Sequence, residues 1–136
     1  KMIEDAGGIE VCYGGIGIHG HVAFNEPGEG VAESNPRILE INEFTRTIDS
    51  TRHCGVGGNL ENFPRRAITM GMKQCLQARR MLTRNESTEF LWANTILRIS
   101  ALGQPGDDYP VTHARYHKNL LIVTDKGTAQ KPKFNI

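Results

Sequence analysis

Two histidines one residue apart, His19 and His21, with Glu26 five residues beyond the second, are the side chains of this sequence best suited to proton transfer. An imidazole takes and returns a proton near neutral pH, and a carboxylate within reach fixes its tautomer and stabilises the imidazolium. A lone histidine on an apolar face is usually a satisfied core residue. Here both follow a glycine-rich strand end, where side chains tend to be displayed rather than packed. Glu26 has a second reading, as a turn residue before Pro27 that only solvates the loop, and spacing does not separate the two. A metal is the competing chemistry: His19 and His21 with His113 and His117, the latter pair four residues apart, supply four imidazoles. No Asp or Cys stands at metalloprotease or zinc-finger spacing, so acid–base chemistry ranks first, no metal is assigned, and a metal-dependent hydrolase is the minority reading.

The element that must position these residues is an apolar β-forming run, Ile9 to Tyr13, which breaks into Gly14, Gly15, Gly17 and Gly20 and then an Asn-Glu-Pro-Gly turn. Glycines let backbone amides approach a ligand, so a strand ending this way presents its next side chains at the mouth of a sheet. Ahead of it, Lys1 to Gly8 reads as the last turns of a helix closed by glycine. Downstream, the pattern predicts a short strand over 37–41, a glycine-marked loop over 42–63, and a helix from Met72 through Cys75, Leu76 and Arg79. A strand at 81–83 follows, then a helix over 90–102 ended by Gly103 and Pro105, with Trp92 in the core. The last strand, within 119–125, reads as buried on both faces. Strands alternating with helices imply an α/β fold, a mostly parallel sheet with helices on both faces.

At 136 residues the chain has the length of one domain, but its opening helix end lacks a beginning, and the expectation is one partial domain over 1–136. Sixteen basic and fifteen acidic residues give a formal charge of +1, which argues against nucleic acid or an acidic membrane as partner. The pairs Arg65-Arg66 and Arg79-Arg80 read as solvated helix faces, since no aromatic residues interleave with them. Three dispersed cysteines suggest neither a disulfide framework nor a zinc ribbon. With no apolar run of membrane-spanning length, the expectation is a cytoplasmic protein.

The run Gly15-Ile-Gly-Ile-His-Gly-His-Val-Ala-Phe-Asn-Glu-Pro-Gly28 resembles the signature of the glucosamine-6-phosphate deaminases, also called isomerases. The related 6-phosphogluconolactonases share its opening but resemble this chain less after Ala23. Similarity continues through Arg37, Pro64 and Ala67 to Gly71, and weakly through His117 to Asp125. The resemblance implies the carboxyl-terminal half of a Rossmann-like domain. It implies conversion of glucosamine 6-phosphate and water to fructose 6-phosphate and ammonia, without a cofactor, in a homo-oligomer. By motif, His21 would be the ring-opening acid/base and Glu26 its carboxylate partner. Gly17 and Gly20 would bring the backbone against a small phosphorylated sugar, and Arg52 would stand near a phosphate-binding arginine. The missing amino-terminal half would supply a phosphate loop and the aspartate that moves the proton between C2 and C1.

This sequence departs from that pattern in instructive places. The family's aspartate two residues before the histidine is His19 here, so a negative charge becomes a second imidazole, and two imidazoles so close resist being protonated together. The lysine expected after the later strand has no counterpart in Thr83-Arg-Asn-Glu-Ser87, and the arginine-x-lysine allosteric pattern is half kept, with Leu39 two places after Arg37. A non-catalytic sugar-phosphate-binding paralogue is therefore the first alternative to a deaminase/isomerase.

Overall fold

The computed structural model describes residues 1–52, 56–85 and 92–131. Cys54, Gly55, Glu86, Ser87 and the first residues of the helix expected from Phe90 lie outside the described residues.

The chain opens with α1 (Met2–Asp5), after which Gly7 and Gly8 adopt positive φ and turn the backbone into β1 (Val11–Gly15). Among the described residues three parallel strands form the sheet in the order β1, β4 (Arg80–Arg84), β5 (Leu120–Val123). The expected mostly parallel sheet is thus present. Cys12 lies beside Met81 and Met81 beside Leu120, and this row faces α3 (Met72–Leu76) and α4 (Trp92–Leu102). Met81, Met72, Cys75, Ile96, Val111 and Ala114 make up the core with Ile16 and Val22. Full burial of a side chain such as Met81 or Ile96 contributes about 2 kcal/mol. Helix α4 buries Ala93, Ile96, Leu97 and Ser100, the three- and four-residue spacing of one helix face, and its C-terminal carbonyl at Ile99 accepts from Gly103 N. Trp92 packs against the core as a partly buried residue.

Two strands are less buried than their apolar composition predicts. The runs at 9–13 and 119–125 form the two edges of the sheet, and their side chains alternate. Val11 and Tyr13 are 49% and 63% exposed, and Leu121 and Val123 are 51% and 37% exposed, so one sheet face lies open across the described residues. An apolar run states that a strand can be covered; neighbouring chain decides whether it is.

The 37–41 strand is β2 (Arg37–Glu40), which pairs antiparallel with β3 (Arg66–Thr69) in a separate two-stranded ribbon. The expected loop over 42–63 contains a helix instead, α2 (Glu43–Arg52). Its residues are mostly polar and those it buries are Thr45 and Ser50, while Asn42 Oδ1 accepts from Phe44 N at the helix start. The basic pairs are not helix faces. Arg66 and Arg80 begin strands, and the exposed side chains of Arg65, Arg66 and Arg79 pair with Glu61, Glu40 and Glu10. The His113–His117 segment lies in a 3-10 turn, Pro110–Tyr116, that ends before His117, and a short α5 (Lys126–Ala129) packs on α4.

Candidate active site

Strand β1 ends in a tight loop whose two ends are anchored in the core by Ile16 and Val22, paired with each other across the loop. Gly17 N donates to His21 O at 3.1 Å and Gly20 N to Gly17 O at 2.9 Å, so the intervening residues are forced outward. Gly17 is where the His21 ring lies; a methyl group there would fall inside the imidazole. Gly20 has φ +66° and its carbonyl accepts from Val111 N at 2.8 Å, which ties the loop tip to the 3-10 turn. Both glycines thus shape the loop.

The structure brings His19, His21 and Glu26 together. Glu26 Oε2 lies 3.4 Å from His21 Nδ1 and 3.8 Å from His19 Nδ1, one oxygen facing two imidazoles. The His21 and Glu26 side chains are nearly buried, at 12% and 13% exposure, whereas His19 reaches solvent at 28%. His21 stacks on Phe24 with ring centroids 6.3 Å apart, and His19 meets the edge of Phe44 at 5.4 Å. Burial opposes ionisation of Glu26. The close approach and charge of His21, the hydrogen bond from the Thr45 hydroxyl and the charge of His19 outweigh it and hold the carboxyl below its ordinary value.

Residues the sequence did not single out hold this carboxylate in place. Thr45, fully buried in the first turn of α2, donates from Oγ1 to Glu26 Oε1 at 2.7 Å. Asn25, next in chain to Glu26 and wholly buried, uses its side chain fully. Nδ2 donates to Val22 O and Met70 O, while Oδ1 accepts from Arg37 Nη1 at 2.9 Å and Ser34 Oγ at 3.2 Å. The Asn-Glu-Pro turn is therefore pinned to the β2–β3 ribbon, where Phe24 N also donates to Thr69 Oγ1. An Asn before a Glu-Pro turn was the signal available for this anchor; Thr45 had none.

His21 opens into a cavity of about 650 Å³ that runs along β1 from Ile9 and reaches the carboxyl ends of β1 and β4, lined there also by Gly15, Gly17, Arg52 and Asn85. Ligands in open α/β sheets bind at such strand ends. Arg52, in the last turn of α2, reaches the same cavity with its side chain 47% exposed and 3.4 Å from Asp49. Cys12 lines the cavity too; a hydrogen bond from the Cys75 thiol lowers it to about 7 against the effect of burial, and Cys75 is raised in turn.

The four-imidazole metal reading does not survive the fold. His113 Nε2 sits 2.8 Å from Asp107 Oδ1, whose other oxygen accepts from Gly30 N. His117 Nδ1 accepts from Asn119 N and its Nε2 therefore donates to Ala78 O, which leaves no lone pair for an ion. Among the described residues no three His, Cys, Asp or Glu side chains are grouped to hold a metal. Spacing of four residues had suggested a shared helix face, which the 3-10 turn does not provide.

No protein-family model matches the chain. Curated relatives do. It is 30% identical over 128 residues to a glucosamine-6-phosphate deaminase of Oceanobacillus iheyensis, covering 94% of this chain and 48% of that protein. It is 33% identical over 132 residues to glucosamine-6-phosphate deaminase 2 of Bacillus subtilis, covering 97% of this chain and 51% of the relative. A solved structure, described as a monomeric glucosamine-6-phosphate deaminase and missing link of the NagB superfamily, superposes with a TM-score of 0.83 at 24% identity. That match covers 94% of this chain and 50% of the other, and it shows the shared fold. The chain spans about half the length of the curated relatives it matches. By sequence and by fold, this chain is homologous to the glucosamine-6-phosphate deaminases over about half of their length.

Proposed function

We propose that the chain forms the carboxyl-terminal half of an amino sugar phosphate deaminase/isomerase domain. The complete domain would convert glucosamine 6-phosphate and water to fructose 6-phosphate and ammonia. One observation carries this reading: the His21 ring stands at the cavity wall with Glu26 Oε2 3.4 Å from its Nδ1. The carboxylate orients the ring and stabilises its protonated form, so the far nitrogen can take the O1 proton of the pyranose and return one to the ring oxygen as the ring opens. Arg52 would meet the phosphate. Gly17 leaves room for the His21 ring and Gly20 fixes the loop tip, so both serve the substrate only through the placing of His21. The proton shift from C2 to C1 needs a further carboxylate, which we assign to the other half of the domain. Water then adds at C2 as ammonia leaves. No cofactor enters these steps.

The same other half would cover the open sheet face formed by Val11, Tyr13, Leu121 and Val123, which isolated in water exposes contiguous apolar surface on two edge strands. The protein would be cytoplasmic and self-associating, which sedimentation of the full-length protein tests. Among the described residues no helix is long and apolar enough to cross a membrane.

Ammonia release from glucosamine 6-phosphate by the protein at its full natural length is the decisive assay. A second reading, a sugar-phosphate-binding paralogue without turnover, is favoured by His19, which stands 3.8 Å from the oxygen that His21 also faces. Sugar-phosphate binding with no ammonia formed would select it, and absence of both would remove the two readings together.

A further inference from the structure

Strand β4 ends at Arg84, and the next residue, Asn85, is tied by its backbone N–H to Val123 O at 2.9 Å. Asn85 is 3% exposed, yet among the described residues neither its side-chain nitrogen nor its oxygen has a hydrogen-bond partner. It lines the cavity into which His21 opens, one strand over from the glycine-rich end of β1, where Ile16 N donates to Arg84 O. A buried amide left wholly unpaired is uncommon in a native fold and calls for a partner that the described residues do not supply. Asn25, equally buried in the same half of the molecule, shows the contrast, since every donor and acceptor of its side chain is engaged.

Resting on the deaminase reading above, we infer that Asn85 is a substrate-binding residue whose amide donates to and accepts from hydroxyl groups of a phosphorylated sugar in this cavity. The chemistry narrows the partner. A phosphate oxygen only accepts, and an ammonium group only donates, so either would leave half of the amide unmet. A hydroxyl does both, and neighbouring sugar hydroxyls match an amide's adjacent donor and acceptor. The assignment is the same whichever way the amide is flipped, because both of its atoms lack partners. Asn85 would thus select the polyhydroxy part of the substrate, and Arg52 its charged end.

The test compares Asn85→Leu and Asn85→Ala with the unmodified protein at its full natural length. Binding of fructose 6-phosphate and of inorganic phosphate is measured by calorimetry, with thermal unfolding run alongside. Leucine keeps the branching and number of heavy atoms and removes an amide that the described residues leave unmet, so the melting temperature should not fall by more than the few degrees that the strain of the bulkier methyl groups costs. Fructose 6-phosphate should bind about tenfold to a hundredfold more weakly to both variants, with phosphate binding unchanged. Unchanged sugar affinity overturns the inference, as does equal weakening of inorganic phosphate, which would place the amide at the anion. A lowered melting temperature in both variants with sugar affinity intact would make the amide structural and overturn it too. If the unmodified protein binds no sugar phosphate, the deaminase reading itself fails and this inference with it; failure confined to the variants leaves that reading standing.

Discussion

The hydroxyl of Thr45 donates a 2.7 Å hydrogen bond to one oxygen of Glu26, and this leaves the other oxygen facing the Nδ1 atoms of His21 and His19. A carboxylate free to rotate would divide its time among partners; one clamped from behind presents a fixed edge.

Replacing Thr45 by Val removes the clamp without changing shape. Glu26 is held below its ordinary value, the model-compound figure being 4.5, so its ionised form stabilises the fold above that pH and the contribution disappears as pH falls through the folded-state value. Thr45→Val should cost about 2 kcal/mol near neutral pH, the scale of a hydrogen bond to a charged group, and shift the acid loss to higher pH. Urea unfolding across pH, with carbon NMR titration of Glu26, measures both effects. Thr45→Ser should restore the titration, whereas a merely space-filling role would leave serine and valine equivalent.

His19→Asp should raise turnover. The shared carboxylate oxygen then serves His21 alone, and an added negative charge favours the imidazolium that ring opening requires. Steady-state ammonia release by the full-length protein gives the answer, and a lower or unchanged kcat in a folded variant would remove His19 as the limiting feature.

Gly17→Ala should displace His21, because the new methyl lies within the space of the imidazole ring. The expected stability loss is about 1–3 kcal/mol, as for other overpacked sites. Activity should fall by about a hundredfold, the lower end of what a positioned acid/base contributes. Circular dichroism separates the two effects, since retained melting with lost activity identifies ring displacement rather than unfolding.

The open sheet face predicts behaviour in solution. Tyr13→Lys with Leu121→Lys, on the two opposite edge strands of that face, should make the isolated chain more soluble and less prone to self-association, by light scattering. In the full-length protein the same pair should be destabilising if the other half of the domain covers the face. Equal stability there would mean that the face stays open.

What could be read from the sequence was short-range. Gly17 and Gly20, just past the strand end, mark a loop because one leaves no room for a side chain and the other takes a positive φ, and His19 and His21 on that loop emerge as close neighbours whatever surrounds them. The α4 helix is legible for the same reason, since its spacing and its glycine stop act within a few turns. Long-range packing decided the rest. Thr45 reaches Glu26 across nineteen residues and Arg37 reaches Asn25 across twelve, contacts that no periodicity encodes. His113 and His117 looked like candidates until Asp107 took the Nε2 of His113, and the Ala78 carbonyl and the Asn119 backbone N–H took the two nitrogens of His117. Asn85 became visible only when the end of β4 was placed beside that of β1, because an unmet hydrogen bond is a property of surroundings and not of a residue.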